Sequence, residues 1–226
     1  SALITLIVSR EENAASLPPT PWPSFKEAWQ KMADLPASFL RAYHVQFFTY
    51  FAWFSTFIYL TDWFGSAIYG GSASAAFGSP QRLQYEHGVR AGSFALAAMA
   101  FVSVLYAPTI PYMCRTWGTQ VTWSLPLLLF GLMLCFTPWI QSRTLAFLAV
   151  LCMGFPLATS FTIPWTIVTL TSLDDDLDDK GWLTAAFNSA QCFPEVFAAM
   201  IAGPLVWAFN GHVAAALFMG GLGALV

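Results

Sequence analysis

From His44 onward the chain is a succession of apolar runs, each about as long as a bilayer is thick, separated by short polar or glycine- and proline-containing turns. The runs extend over residues 44–64, 92–112, 121–140, 144–170, 181–209 and from Val213 onward. A membrane helix needs about 20 residues to cross about 30 Å of hydrocarbon, so this pattern predicts six membrane helices, the last of them short. Stretches such as Phe130–Phe136 and Leu145–Met153 are apolar on every face. A membrane strand would alternate apolar and polar residues over about ten positions, so the expected fold is an all-α membrane protein. Pro156, Pro164, Pro194 and Pro204 fall inside the fourth and fifth runs. Each removes a backbone donor, which is tolerated where neighbouring helices or cavity water satisfy the freed carbonyl. Bent helices around a cavity are expected.

Upstream the pattern changes. Residues 1–8 form a short apolar stub, expected to be the tail of a preceding membrane helix. Residues 9–43 carry charges of both signs together with Pro18, Pro19, Pro21, Pro23 and Pro36, the composition of an extended linker. Within it, one amphipathic stretch from Phe25 to Met32 suits a short helix at the membrane surface. Residues 44–226 are then the six-helix bundle. If the linker is cytoplasmic, that side holds Arg10, Lys26, Lys31, Arg41, Arg115 and Lys180, against Arg82, Arg90 and Arg143 on the other, a slight bias in the expected direction. The acidic run Asp174–Asp179 becomes a solvated loop on the linker side.

Composition agrees with the pattern. Hydrophobic residues make up 57% and charged residues 9%, against about 45–50% and about 25% in soluble domains. The expectation is a multi-pass integral protein of the plasma membrane or an organelle membrane, with the lipid bilayer as its principal surroundings. Cys114, Cys135, Cys152 and Cys192 are widely spaced without a C-x-x-C pair, and His44, His87 and His212 are equally scattered. No metal site or disulfide framework is expected. No G-x-S-x-G, H-E-x-x-H or phosphate-binding glycine loop occurs, so no enzyme and no cofactor are expected. Without a basic stretch there is no foothold for nucleic acid either.

Asp62 stands out against this background. It lies in the almost wholly apolar and aromatic stretch from Val45 to Tyr69. A carboxylate near the bilayer centre costs about 2.5–3.5 kcal/mol on insertion scales, so such groups face a protein interior or a water-filled path. That points to a transport route. The structural alternative is that Asp62 caps the adjoining loop or ties two helices together.

The residues around Asp62 carry a resemblance. Thr61-Asp62-Trp63-Phe64-Gly65, continuing through Ser66-Ala67 to Ile68-Tyr69-Gly70-Gly71, resembles the T-D-W-M-G-R-E-I-Y-G-G stretch of sucrose transporters, in the glycoside-pentoside-hexuronide group of the major facilitator superfamily. Tyr85-Glu86-His87-Gly88-Val89-Arg90-Ala91-Gly92 is similar to that family's Y-D-x-G-V-R-x-G. Gly154-Phe155-Pro156-Leu157-Ala158 with Ile163-Pro164 is similar to its G-I-P-L-A…I-P, and Gly181, Asn188, Pro194, Gly203 and Pro204 follow its later spacing. The matches are collinear from about Tyr50 to Gly211. There are departures: Ser66-Ala67 stands where the family has Arg-Glu, Leu60 where it has a second Asp, and Glu195 where Gln is common.

The resemblance implies the six-helix C-terminal half of a twelve-helix carrier, whose N-terminal half would be its partner in the same chain, with a sugar as substrate and the proton as coupling ion. Carriers of this superfamily line their central cavity with the first, second, fourth and fifth helices of each half. The polar membrane residues follow that division, and the third run, which has almost none, is expected to face lipid. Asp62, Arg90 and Glu195 are the implied charge and proton-coupling group. Asn188, Gln191 and Trp165 would meet a sugar's hydroxyls and apolar ring face. Each also has a structural reading: Asp62 could pair with Arg90, Glu195 with a group elsewhere, Asn188 and Gln191 could bridge helices, and Trp165 could be a packing residue. The expected function is proton-coupled symport of sucrose or a related sugar. A carrier of another small solute, or a non-transporting membrane sensor or assembly subunit, would share the same pattern.

Overall fold

The computed structural model describes residues 24–172 and 180–226. The expected helix tail at residues 1–8, the first part of the linker and the acidic run Asp174–Asp179 lie outside the described residues. The chain divides into two units, 1–35 and 36–226. In the first, helix α1 (Phe25–Ala33) starts on a capping box: the Ser24 hydroxyl accepts from the Glu27 backbone N–H at 3.3 Å, and the Glu27 carboxylate accepts from the Ser24 N–H at 2.8 Å. Two of the orphan donors of the first turn are thereby satisfied.

The second unit is helical throughout its described residues, with no strand. Its elements are α2 (Ala37–Trp63), a π-helical turn (Phe64–Ile68), α3 (Pro80–Tyr106), a 3-10 turn (Ala107–Thr109), α4 (Ile110–Trp117) and α5 (Thr119–Phe136). A second 3-10 turn (Thr137–Trp139), α6 (Arg143–Cys152), α7 (Gly154–Ser172), α8 (Lys180–Ala208) and α9 (Ala214–Ala224) complete it.

Two helices begin well before the apolar runs that announce them. α2 starts at Ala37, directly after the extended Pro36, so residues 37–43 of the expected linker are helical; Phe39 and Ala42 are buried there. α3 starts at Pro80 rather than Gly92. Ser79 caps it by accepting from the Arg82 N–H, Pro80 occupies the first turn, where its missing donor costs nothing, and Arg82 pairs with Glu86 at 3.0 Å one turn on. Local capping therefore extends the helix through residues too polar to register as membrane-spanning.

The fourth run is two helices, interrupted at Met153. The break falls where Gly154 packs on α3: a Cβ there would sit 2.6 Å from the Met99 carbonyl oxygen and 2.7 Å from Val102. Pro156 lies in the first turn after the break, while Pro164, Pro194 and Pro204 sit inside continuous helices.

Among the described residues, four helical segments are long and apolar enough to cross a membrane: 80–117, 119–139, 143–171 and 181–208. Six were expected, and the two others differ for separate reasons. α9 is only 11 residues long. α2, at 27 residues, is long enough but carries too many polar groups. It tolerates them because it is the central helix, packed against α3, α7, α8 and α9. Gln46, Thr49, Ser55 and Thr56 are buried on it beside Trp53, Leu60 and Trp63. Thr56 donates to the carbonyl of Ala52 and Ser55 to that of Phe51, so both hydroxyls are satisfied within the helix. α5 is two-faced: Trp123, Leu127, Phe130 and Leu134 are buried, with Phe130 stacked on Trp53 at 4.1 Å, while Leu125, Leu128, Leu132 and Phe136 are exposed. Exposed apolar faces of this kind are what a lipid environment requires.

Candidate functional site

Polar groups in the bundle gather at two levels along α2. The first lies at its Ile68 end. Asp62 is half-buried in the last turn of α2, immediately before the π-helical turn, and the Tyr85 phenol of α3 faces its carboxylate. Ser66 donates to the Asp62 carbonyl at 2.7 Å. The turn is closed by bonds from the Tyr69 N–H to the Phe64 carbonyl (2.9 Å) and from the Gly71 N–H to that of Gly65 (3.0 Å). Helical turns of this wide kind recur at functional sites.

Glycines let α3 cross this turn at backbone distance. A Cβ on Gly88 would lie 2.6 Å from the Cα of Gly65, and one on Gly71 would run into the backbone of Tyr85. Arg82 is held by Glu86, by the Ala73 carbonyl and by the Tyr85 ring, 5.6 Å from its guanidinium, and Arg143 stacks on Tyr69 at 4.2 Å. The implied Asp62–Arg90 pair does not form: Arg90 is exposed and makes no ion pair among the described residues.

The second level lies about 18 Å away along the axis, twelve residues back on α2 at about 1.5 Å each. Here Tyr43, Gln46, Tyr50 and Trp53 present one face toward α7 and α8. Tyr43 donates to Ser189 at 2.8 Å, since the Ser189 hydroxyl itself donates to the Ala186 carbonyl. The Gln46 amide nitrogen reaches the Ser160 carbonyl at 3.4 Å, and the Trp53 indole donates to the Ser160 hydroxyl at 3.2 Å. Tyr50 stacks obliquely near Phe161, 5.9 Å between ring centres, and lies within electrostatic reach of Glu195 and Cys192.

Three of the residues singled out from sequence belong to this level. Glu195 and Gln191 are half-buried on α8, and Trp165 packs edge-on against Phe187 at 5.3 Å. Asn188 is exposed on the same helix, its amide directed at Cys192 Sγ at 3.7 Å. Pro194, buried inside α8, leaves the carbonyl of Ala190 without its helical donor, one residue from Gln191. Asp62 and Arg90 stay at the other level.

α2 and α7 also supply groups that the pattern of acids and amides did not single out: Tyr43, Gln46 and Tyr50 on α2 and Ser160 on α7. The spacing of the α2 residues together with Trp53, at 43, 46, 50 and 53, is that of one helix face, and it was present in the sequence. Gln46 is the sharpest of them. It is fully buried, and among the described residues its Oε1 has no donor and the buried Nε2 of Gln191 on the packed neighbour α8 has no acceptor. An unanswered amide oxygen and an unanswered amide donor thus stand on adjoining helices.

A cavity of about 940 Å³ borders the first level, where Trp63 and Ser66 line it. It opens at the Ile68 end among Trp63, Trp139, Phe209 and Phe218, and none of Asn188, Gln191, Trp165 and Glu195 lines it.

No family model matches the chain. It is 25% identical to sucrose transport protein SUT5 of Oryza sativa subsp. indica over an alignment of 225 residues, covering 89% of this chain and 41% of that protein. Sucrose transport protein SUT2 of the same subspecies is 28% identical over 205 residues, covering 79% and 40%. Sucrose transport protein SUC3 of Arabidopsis thaliana is 24% identical over 201 residues, covering 80% and 33%. The chain is a relative of the sucrose transport proteins. It spans between a third and about two fifths of the length of these relatives, and the likeness extends over most of its residues. Together with its four apolar spans, this likeness makes it an integral membrane protein.

Proposed function

We propose that this relative of the sucrose transport proteins contributes one six-helix half of a secondary active carrier that moves sucrose or a related sugar in symport with a proton. The supporting observation is the level at which α2, α7 and α8 converge, where Glu195, Gln191 and Tyr50 gather inside a membrane bundle beside a proline-interrupted helix. A carboxyl in such a place is costly when charged and cheap when neutral. Binding a proton therefore shifts the balance between two arrangements that solvate it differently. Asn188 and Gln191 offer amides to sugar hydroxyls, and Trp165 offers an apolar face. The facing half of the carrier would close the cavity, as in superfamily members built from paired repeats.

The reading is tested by reconstituting the carrier in liposomes and measuring labelled sucrose accumulation under an imposed proton gradient. Glu195→Gln, neutral at every pH, is expected to abolish uphill accumulation while leaving sugar exchange across the membrane. Full proton-driven accumulation in this variant would remove Glu195 from coupling. Competition by other sugars, nucleosides and small acids identifies the solute, and failure of any sugar to compete would overturn the substrate class.

A further inference from the structure

Around Gln46 two seams of the bundle are finished to different degrees. On the α7 side the polar groups are bonded: the Trp53 indole donates to the Ser160 hydroxyl at 3.2 Å, that hydroxyl donates to the Pro156 carbonyl at 2.7 Å, and Gln46 Nε2 reaches the Ser160 carbonyl at 3.4 Å, near the limit of a hydrogen bond. On the α8 side, among the described residues, a buried acceptor and a buried donor are left over, Gln46 Oε1 and Gln191 Nε2.

The two stand at one level. α2 and α8 run in register, with Phe39 against Phe187 at 5.7 Å between ring centres, Tyr43 bonded to Ser189 at 2.8 Å, and Tyr50 within electrostatic reach of Cys192 and Glu195. Gln46 lies one turn beyond Tyr43 and one turn before Tyr50, at the height of the stretch that holds Gln191.

Three ways of answering these atoms are closed. A bridging water needs surface to touch, and both atoms are sealed from solvent. Turning the Gln46 amide over would set its oxygen against the Ser160 carbonyl, acceptor to acceptor. A sugar hydroxyl cannot reach Gln46, which is fully buried. The remaining partner for each atom is the other, and the turn that carries Gln191 is able to bring it. Pro194 has no N–H for the carbonyl of Ala190, so α8 can bend where its own hydrogen bond is already missing, while the Tyr43–Ser189 bond holds it to α2 just before the bend.

We propose that Gln191 Nε2 donates directly to Gln46 Oε1 in a second arrangement of the bundle, reached when α8 bends at Pro194. Gln46 is then a positioning residue: it does not touch the solute, but it favours the arrangement in which Gln191 is drawn onto α2. This rests on the carrier reading, because a protein that alternates between two arrangements has a use for a bond made in only one of them.

The test uses the full carrier in liposomes, with its native cysteines replaced and nitroxides on cysteines placed at Phe57 on α2 and, in turn, at Ala185 and Trp207, exposed positions on either side of Pro194. Pulsed electron–electron double resonance should show two distance populations for at least one pair. Gln46→Met and Gln191→Met should each reduce the second population several-fold, and the double variant no further than the stronger single, because one bond is lost only once. Gln46→Glu keeps an oxygen for Gln191 and should retain the second population, a rescue that a mere packing role would not give. Sucrose exchange in the same liposomes should slow several-fold in Gln46→Met and recover in Gln46→Glu. A single distance population, single effects that multiply in the double variant, or Gln46→Glu behaving as Gln46→Met would each overturn the proposal, and the carrier reading would stand wherever exchange persists. Absence of exchange in unaltered protein that shows both populations would instead remove the carrier reading and leave the bond.

Discussion

Asp62 and Glu195 are both carboxylic acids within membrane helices, yet they keep very different company. Around Asp62 the backbone is locked: α3 crosses the π-helical turn with glycine against glycine, and arginines are anchored to carbonyl, carboxylate and ring partners. Around Glu195 the groups are loosely matched. α8 carries a buried proline inside it, and among the described residues Gln46 and Gln191 each keep one buried amide atom unanswered. The contrast teaches that a polar residue in a membrane helix can belong to a fixed joint or to a yielding surface, and that the packing around it decides which. The Ile68 end is packed as the joint; around Glu195 we infer a level able to rearrange.

The largest expected effect comes from forcing the joint apart. Gly88→Leu places side-chain atoms where the Gly65 backbone already lies, and should destabilise the bundle by at least the ~1–3 kcal/mol usual for overpacking. Thermal unfolding in detergent would register it, and a wild-type melting temperature would break the distinction. Next comes the pair Asp62→Asn and Glu195→Gln. If only the yielding level couples protons, Glu195→Gln loses uphill accumulation while Asp62→Asn keeps it; equal loss in both, measured in the same proteoliposomes, would put coupling at both levels.

A smaller effect is expected at Gln46. Gln46→Met removes an unanswered buried oxygen, a defect worth about 1–3 kcal/mol, at the loss of one long bond to Ser160. The variant should be more stable by about 1 kcal/mol, read as a higher melting temperature, and transport should slow if that amide finds its partner only in another conformation. Least of all should follow from Gly203→Ala. No atom lies within 4 Å of a Cβ added there, so helix propensity alone acts, for a gain of at most about 1 kcal/mol. A marked loss would mean that α8 needs flexibility at this point as well as at Pro194.

Hydropathy made the course of the helices legible, because a span long enough to cross a bilayer leaves a run that few other structures need. It failed where local bonding outweighed burial. Ser79 and Pro80 begin a helix whose first turns are polar, and the break at Met153 is set by a contact between Gly154 and α3 that no single run contains. Glu195 and the amides of α8 were visible as isolated polar residues in an apolar helix. The polar face of α2 was visible too, in the spacing of Tyr43, Gln46, Tyr50 and Trp53, but it was hidden among aromatics that look like packing. Which partner meets Asp62 was not legible: helix rotation puts Tyr85 there and turns Arg90 outward. The π-helical turn leaves no mark in residue type that distinguishes it from an ordinary one.

The central position of α2 carries a consequence for biogenesis. As the helix whose buried face is richest in hydroxyl and amide groups, it is less suited than its neighbours to partition into lipid when it first leaves the ribosome. Its stable residence in the bilayer depends on segments synthesised later, above all α8 and α9, which cover that face. Single cysteines placed on α2 should therefore react with a water-soluble maleimide in ribosome-bound chains cut before residue 180, and be protected in chains that extend past α9.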